Sequence, residues 1–242
     1  MIAAERLLVT LCTYNERENL ATLIPEIWRF VPAAEILIVD DNSPDGTGQA
    51  ADEWVARDAR VHVVHRAGKL GLGTATLAAL SYAVKHDFTL VLNLDADFSH
   101  HPRFMPSILA AIEGADVAIG SRYVVGGGVI GWGLRRHMMS RAINTYARLL
   151  LRLTTRDNSG AFRCYRVVKL RELDFERFVA RGYAIQEELL YRCRRIGCRF
   201  AEVPIVFEER RYGKSKINLA EAIAAGWIIL RLAVTSMCNR AE

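Results

Sequence analysis

With 242 residues, 51% of them hydrophobic and 24% charged, the chain has ordinary globular composition, which excludes disorder, collagen and coiled coil and favours one large α/β domain. Its net charge of +5 hides a division: residues 1–134 carry six more acidic than basic side chains, whereas residues 135–216 carry eleven more basic than acidic. An acidic half suits a divalent cation, and an arginine-rich half suits phosphates, an anionic membrane surface or nucleic acid.

At the N-terminus, Glu5 and Arg6 precede a short apolar run that lacks the form of a signal peptide, so a cytoplasmic chain is expected. Apolar, β-branched runs of strand length then recur at 7–11, 36–39, 61–64, 89–94 and 116–120, each followed by a helix-length amphipathic segment. Alternation at this spacing predicts a parallel sheet with helices on both faces, because right-handed crossovers need that length. Ligands gather at the carboxyl ends of such strands. That rule selects the polar segments 13–16, 40–47, 68–74 and 95–99, which are expected to line one crevice. After Arg122, five glycines around Trp132 read as a mobile loop. Met139, Ile143, Tyr146, Leu150 and Leu153 follow at helical spacing, with Arg141, Arg148 and Arg152 on another face, which predicts a basic amphipathic helix. A strand at 161–166, a helix at 185–196, a strand at 200–207 and a final helix from Leu219 complete the expected order. The catalytic domain is expected over 1–216, with 217–242 as an amphipathic or apolar helix. The apolar run 222–230 ends at Arg231 after nine residues, and a spanning helix needs about 20, so no transmembrane helix is expected. Cys12, Cys164, Cys193, Cys198 and Cys238 include no Cys-x-x-Cys pair, which argues against disulfides or structural zinc.

Asp95 and Asp97 close the fourth expected strand. In a two-residue period their side chains share a face, where both carboxylates can meet one hard cation bridging a diphosphate; short paired aspartates also occur in solvated turns. Asp40 and Asp41 end the second strand before Asn42-Ser43-Pro44-Asp45-Gly46-Thr47. Asp41 is positioned to bind a ribose or base, and Asp45 to cap the next helix. The glycines of Gly68-Lys69-Leu70-Gly71-Leu72-Gly73-Thr74 fail the dinucleotide fingerprint, which belongs after the first strand and needs Gly or Ala where Thr76 stands. They serve either a close approach to a nucleotide or the start of a helix. Arg122 after the fifth strand, and Arg210, Lys214 and Lys216 after the last, can stabilise phosphate oxygens, though each also fits a solvated charged face.

Together, Thr13-Tyr14-Asn15-Glu16-Arg17-Glu18-Asn19-Leu20, Val39-Asp40-Asp41-Asn42-Ser43-Pro44-Asp45-Gly46-Thr47, Lys69-Leu70-Gly71-Leu72-Gly73-Thr74, Asp95-Ala96-Asp97-Phe98-Ser99-His100-His101-Pro102, Gly120-Ser121-Arg122-Tyr123 and Tyr212-Gly213-Lys214-Ser215-Lys216 resemble the dolichyl-phosphate mannose synthase group of glycosyltransferase family 2. The resemblance spans nearly the whole chain. It implies a GT-A type, Rossmann-like α/β fold with a mostly parallel sheet, and transfer of mannose from GDP-mannose to a polyprenyl phosphate with Mg²⁺ or Mn²⁺. It carries nucleotide contacts onto Tyr14, Glu16, Val39, Asp41, Asp95 and Ala96, the main metal ligand onto Asp97, and phosphate contacts onto Arg122, Arg210 and Lys216. Cys12 stands where the family usually has proline, in the loop under the base, which leaves the base less secure than the metal. A family member using a UDP-sugar and a lipid-phosphate or glycan acceptor is the enzymatic alternative. A nucleic-acid-binding module would leave the four strand-end motifs unexplained, so no nucleic-acid partner is expected. The lipid acceptor implies a peripheral position at a membrane face and leaves room for membrane-anchoring partner subunits.

Overall fold

The computed structural model describes the backbone of residues 6–209 and 219–238. Its first strand, β1 (Leu7–Thr13), is buried along nearly its whole length. It pairs in parallel with β2 (Glu35–Asp40) on one side and β4 (Leu90–Asp95) on the other, while β3 (Val61–His65) adds to β2. Strands covered on both faces read as continuous apolar runs rather than alternating ones, which is why β1, β2 and β4 are conspicuous in the sequence, whereas β3, at the sheet edge, is half-buried and carries His62 and His65 among its valines. The two-residue period still sorts their side chains. Leu8, Leu37, Val39 and Val91 enter one core, with α3 (Leu72–Lys85). Val9, Leu11, Ile36, Ile38 and Leu92 enter the other, with α1 (Arg17–Phe30). The shorter α2 (Thr47–Arg57) packs beside α1 and β3.

Beyond β4 the topology departs from the expected run of parallel strands. The helix α4 (Met105–Ile112) leads to β5 (Val117–Ser121), but β5 does not join β4. Strand β7 (Arg163–Arg166) lies between them, antiparallel to both, and β8 (Phe200–Pro204) adds in parallel to β5, giving the order β3-β2-β1-β4-β7-β5-β8. The sheet is therefore mixed but mostly parallel, as an α/β sheet with one reversed strand. The expected strand at 161–166 is shorter, and that at 200–207 breaks at Ile205.

Its continuation, β9 (Val206–Phe207), leaves the main sheet and pairs in parallel with β6 (Gly128–Val129). The glycine-rich stretch is thus not a free loop. Gly128 and Ile130 donate their N–H groups to the carbonyls of Ile205 and Phe207 at 2.9 and 2.8 Å. A Cβ on Gly127 would stand 2.5 Å from the Ser121 carbonyl oxygen, so glycine there permits a close backbone crossing.

The basic helix is α5 (Leu134–Leu150). After it come the single turn α6 (Val167–Leu170), α7 (Ile185–Arg195) and α8 (Leu219–Cys238). The terminal helix α8 packs on α5 and α7, and Ala225, Ile229, Leu232 and Ala233 join the α3-side core. Among the described residues no helix is long and apolar enough to cross a membrane.

Candidate active site

A crevice of about 330 Å³ opens at the carboxyl ends of β1, β4 and β5, walled on its far side by α5, α7 and α8. It is the switch-point position where open α/β sheets bind ligands. All four expected strand-end segments contribute to its lining or support it.

At the end of β1 the chain turns through Asn15 in the left-handed region (φ 59°), a conformation asparagine tolerates better than most residues. Thr47 Oγ accepts the Glu16 N–H at 2.9 Å, and Asp45 accepts those of Thr47 and Arg17 at 3.0 and 3.3 Å. Asp45 therefore holds the start of α2, as the sequence suggested, and that of α1 as well. Burial opposes its charge, but these donors hold its pKa below the ordinary carboxylate value. Tyr14 and Glu16 line the crevice, with the Lys69 ammonium 4.4 Å from the Tyr14 ring centre.

Asp41 also lines the crevice. Arg66, which the sequence did not single out, stands 2.8 Å from its Oδ1, and the Leu70 N–H reaches Oδ2 at 3.2 Å. Burial nevertheless raises the Asp41 pKa. Cys12 faces the crevice, and burial pushes its thiol up to about 12, so it shapes the wall as a neutral group. Val39 does not line the crevice: its side chain is fully buried in the α3-side core, and its carbonyl accepts the Thr13 hydroxyl at 3.3 Å.

Of the glycines of 68–74, Gly71 and Gly73 lie against the chain's own backbone. A Cβ on Gly71 or Gly73 would stand 2.5 Å from the carbonyl oxygen of Arg181 or Ala180, and Gly73 donates its N–H to Arg181 at 2.8 Å. Both let the start of α3 abut residues 180–181, while Gly71 also lines the crevice.

Asp95 ends β4, but Asp97 lies beyond the strand, in a turn whose next residue, Phe98, is left-handed at φ 63°. The expected shared pleat is therefore replaced by a turn, which still brings Asp95, Ala96 and Asp97 to the crevice wall. Asp97 is buried and accepts the Ser99 N–H and hydroxyl at 3.0 and 2.5 Å. Behind them His100 is packed against Phe162 and Phe207. Burial drops its pKa to about 4, so it is neutral at physiological pH, and its Nδ1 accepts the Asp95 N–H at 3.4 Å.

Arg122 reaches the crevice from the end of β5, yet its fork is engaged within the protein. Its Nε and one terminal nitrogen donate to Asp157 at 2.7 and 2.6 Å, and that nitrogen also reaches Ser159 at 2.9 Å. Burial opposes both charges, but each partner outweighs it: the Arg122 pKa is raised and the Asp157 pKa lowered. Arg122 thus carries a fixed positive charge at the wall. Arg136, on the first turn of α5, stacks 4.2 Å from the Trp132 ring centre, and Ser140 follows one turn later. Sequence reasoning passed over Asp157, Ser159, Arg136 and Ser140. Asp157-Asn158-Ser159-Gly160 has turn composition, and Arg136 was one arginine among many. Arg210 and Lys216, with the motif around them, lie outside the described residues.

Asp95 and Asp97 suit a hard divalent cation, which takes oxygen ligands and keeps several from water or substrate phosphate. Among the described residues no three His, Cys, Asp or Glu side chains converge on a metal position, so a cation here would draw further ligands from a bound diphosphate.

The model of the family described as "Glycosyl transferase family 2" matches residues 8–174. The chain is 43% identical over 224 residues to the polyprenol monophosphomannose synthase of Mycolicibacterium smegmatis, covering 90% of this chain and 84% of that protein. It is 40% identical over 213 residues to the undecaprenyl-phosphate mannosyltransferase of Micrococcus luteus, covering 88% of each. Among solved structures, glucosyl-3-phosphoglycerate synthase from Mycobacterium tuberculosis with Mn²⁺, UDP and glucosyl-3-phosphoglycerate superposes with a TM-score of 0.68 at 20% identity, over 96% of this chain and 80% of that one. The latter is a likeness of fold, of the GT-A type. With strand-end carboxylates facing one crevice and a family match running from β1 past β7, the chain belongs to glycosyl transferase family 2 and is a glycosyltransferase.

Proposed function

We propose that this enzyme transfers mannose from GDP-mannose to a polyprenyl phosphate, inverting the anomeric centre in one displacement. The observation that carries the reading is one crevice holding Asp95 and Asp97 on one wall and Arg122 and Arg136 on others. That pairing of acidic and basic walls suits a reaction between a metal-bound diphosphate and an anionic acceptor. Relatives at 40% and 43% identity bear names that specify mannosyl transfer and polyprenol substrates.

A phosphate monoester has a second pKa of about 6, so the acceptor is already nucleophilic near neutral pH and needs no strong base. Positioning and stabilisation of the leaving group then dominate the rate. Tyr14, Glu16 and Asp41 would orient the nucleoside. Asp97 and Asp95 would hold Mg²⁺ or Mn²⁺, which when bound supplies charge neutralisation for the departing diphosphate. Arg122, held in place by Asp157, would stand beside the reacting phosphates, while Arg136 and Ser140 offer donors to the acceptor. Arg210 and Lys216 complete the proposed phosphate contacts.

The lipid acceptor implies contact with a bilayer. The packed helices α5 and α8 leave Leu134, Met138, Leu149, Ile223, Trp227 and Val234 exposed, with Arg135, Arg141 and Arg148 along α5. Such a surface suits an anionic interface. Part of the arginine excess is consumed internally: Arg163 and Arg166 donate to backbone carbonyls, and Arg192 to Glu188. This weakens the nucleic-acid reading. Purified protein, GDP-mannose, Mn²⁺ and a short polyprenyl phosphate should yield the mannosylated lipid; UDP-glucose consumed in its place would transfer the proposal to the other donor class.

A further inference from the structure

We infer that Gln186 and Glu187, at the start of α7, read the hydroxyl groups of the sugar being transferred, an inference that rests on the donor being a nucleotide sugar. Both side chains line the crevice, and they are only 3% and 2% exposed. Among the described residues, the Gln186 Nε2 and the Glu187 Oε2 are buried without a hydrogen-bond partner. Buried polar atoms are nearly always paired, so an adjacent unpaired donor and acceptor on a crevice wall point to a ligand that supplies both halves.

Their placement is enforced. The fully buried Arg163 guanidinium donates to the Gln186 carbonyl at 2.6 Å and to the Asn158 carbonyl at 2.7 Å. Glu188, the next residue, accepts the N–H groups of Val179 and Ala180 at 3.0 and 2.8 Å. Arg163 pairs in register with Asn93, two residues before Asp95. The start of α7 is thereby tied to β4, the strand that ends at Asp95, and the charged groups that act on Glu187 are Arg163, Asp157 and Arg122, the last on the crevice wall at the end of β5.

The chemistry selects the ligand. A carboxyl group on this wall disfavours phosphate oxygens by repulsion when ionised. A sugar hydroxyl both donates and accepts, so neighbouring hydroxyls of a hexose satisfy an amide N–H and a carboxyl oxygen at once. Sites built to bond a hydroxyl discriminate strongly against analogues that lack it, because their own buried groups are left unpaired.

The test is calorimetry with Mn²⁺ on wild type, Gln186→Met, Glu187→Gln and Glu187→Ala, using GDP against GDP-mannose, UDP against UDP-glucose, and monodeoxy versions of the sugar that binds. The variants should bind the nucleoside diphosphate within twofold of wild type and lose at least tenfold on the nucleotide sugar. For at least one deoxy sugar, wild type and variant should converge. A sugar-dependent gain confined to the UDP series would overturn the mannose donor yet support the role of Gln186 and Glu187. A parallel fall for nucleotide and nucleotide sugar, an unchanged profile, or a wild type blind to the sugar in both series would each overturn it.

Discussion

The Arg122 guanidinium and the Asp157 carboxylate, thirty-five residues apart in the chain, meet through two N–H···O bonds of 2.7 and 2.6 Å, and the Arg122 backbone N–H donates to the same carboxylate at 2.9 Å. Asp157 also accepts the Gly160 N–H at 3.0 Å. The pair therefore fixes the 157–160 turn and the crevice wall at the end of β5 in one step. Removing one partner of a buried ion pair strands the other charge, at a cost of about 3–5 kcal/mol. Asp157→Ala should lose stability of that order in urea denaturation, whereas Arg103→Ala, which breaks the exposed pair with Glu208, should change it by less than about 1 kcal/mol.

Glu187 gives the chain a pH dependence of definite sign. Burial pushes its pKa from 4.5 up to about 7, so between those values the folded protein retains a proton that the unfolded chain has released. Stability then falls as pH rises through that window, by about 3 kcal/mol for this group. Glu187→Gln should remove the fall. Thermal melts of both proteins between pH 5 and 8 should show the variant gaining on wild type as pH increases.

The two glycines flanking the Lys69 loop should respond differently to alanine. A Cβ on Gly73 would meet the backbone of Ala180 and Arg181 at 2.5 to 2.9 Å, while one on Gly68 would meet nothing within 4 Å. Overpacking against backbone costs about 1–3 kcal/mol. Gly73→Ala should be destabilised by that amount in chemical denaturation, and Gly68→Ala should stay close to wild type.

Asp97→Asn keeps the size of the side chain and its acceptor for Ser99 while removing the charge a cation requires. Turnover should drop at least a hundredfold, and the gain in GDP affinity on adding Mn²⁺ should disappear. Retention of Mn²⁺-dependent GDP binding by Asp97→Asn would remove the residue from the proposed metal site. Chelation of wild type should reproduce the loss, and added Mn²⁺ should restore it.

Membrane association is tested on α8. Trp227, 67% exposed, should be replaceable by Asp without loss of folding. The variant should float with anionic liposomes at least fivefold less than wild type at low salt, while consuming a soluble short-chain acceptor at a similar rate.

Much of this enzyme was legible before its structure. Strands β1, β2 and β4 announce themselves because burial on both faces demands nearly uninterrupted apolar runs, and polar residues directly after them mark the crevice. Asp45 as a cap and Asp95 with Asp97 as a wall follow from the same local logic. By contrast, the Ile185-Gln186-Glu187-Glu188 segment has the composition of a solvated helix start, yet all four residues are buried. What pays no heed to local composition is partnership: Glu188 is satisfied by Val179, Ala180 and Arg192, which the sequence alone does not pair with it.

The sequence by itself determined the layered α/β architecture, the family and the acidic strand ends, because hydrophobic period and turn chemistry act over a few neighbouring residues. Only the tertiary structure decided that β7 runs backwards between β4 and β5, that Arg122 belongs to Asp157, and that Gln186 and Glu187 face the crevice. Those outcomes depend on hydrogen bonds and charges brought together from distant parts of the chain, where burial opposes each charged group and the partner, acting through a low-dielectric interior, outweighs it.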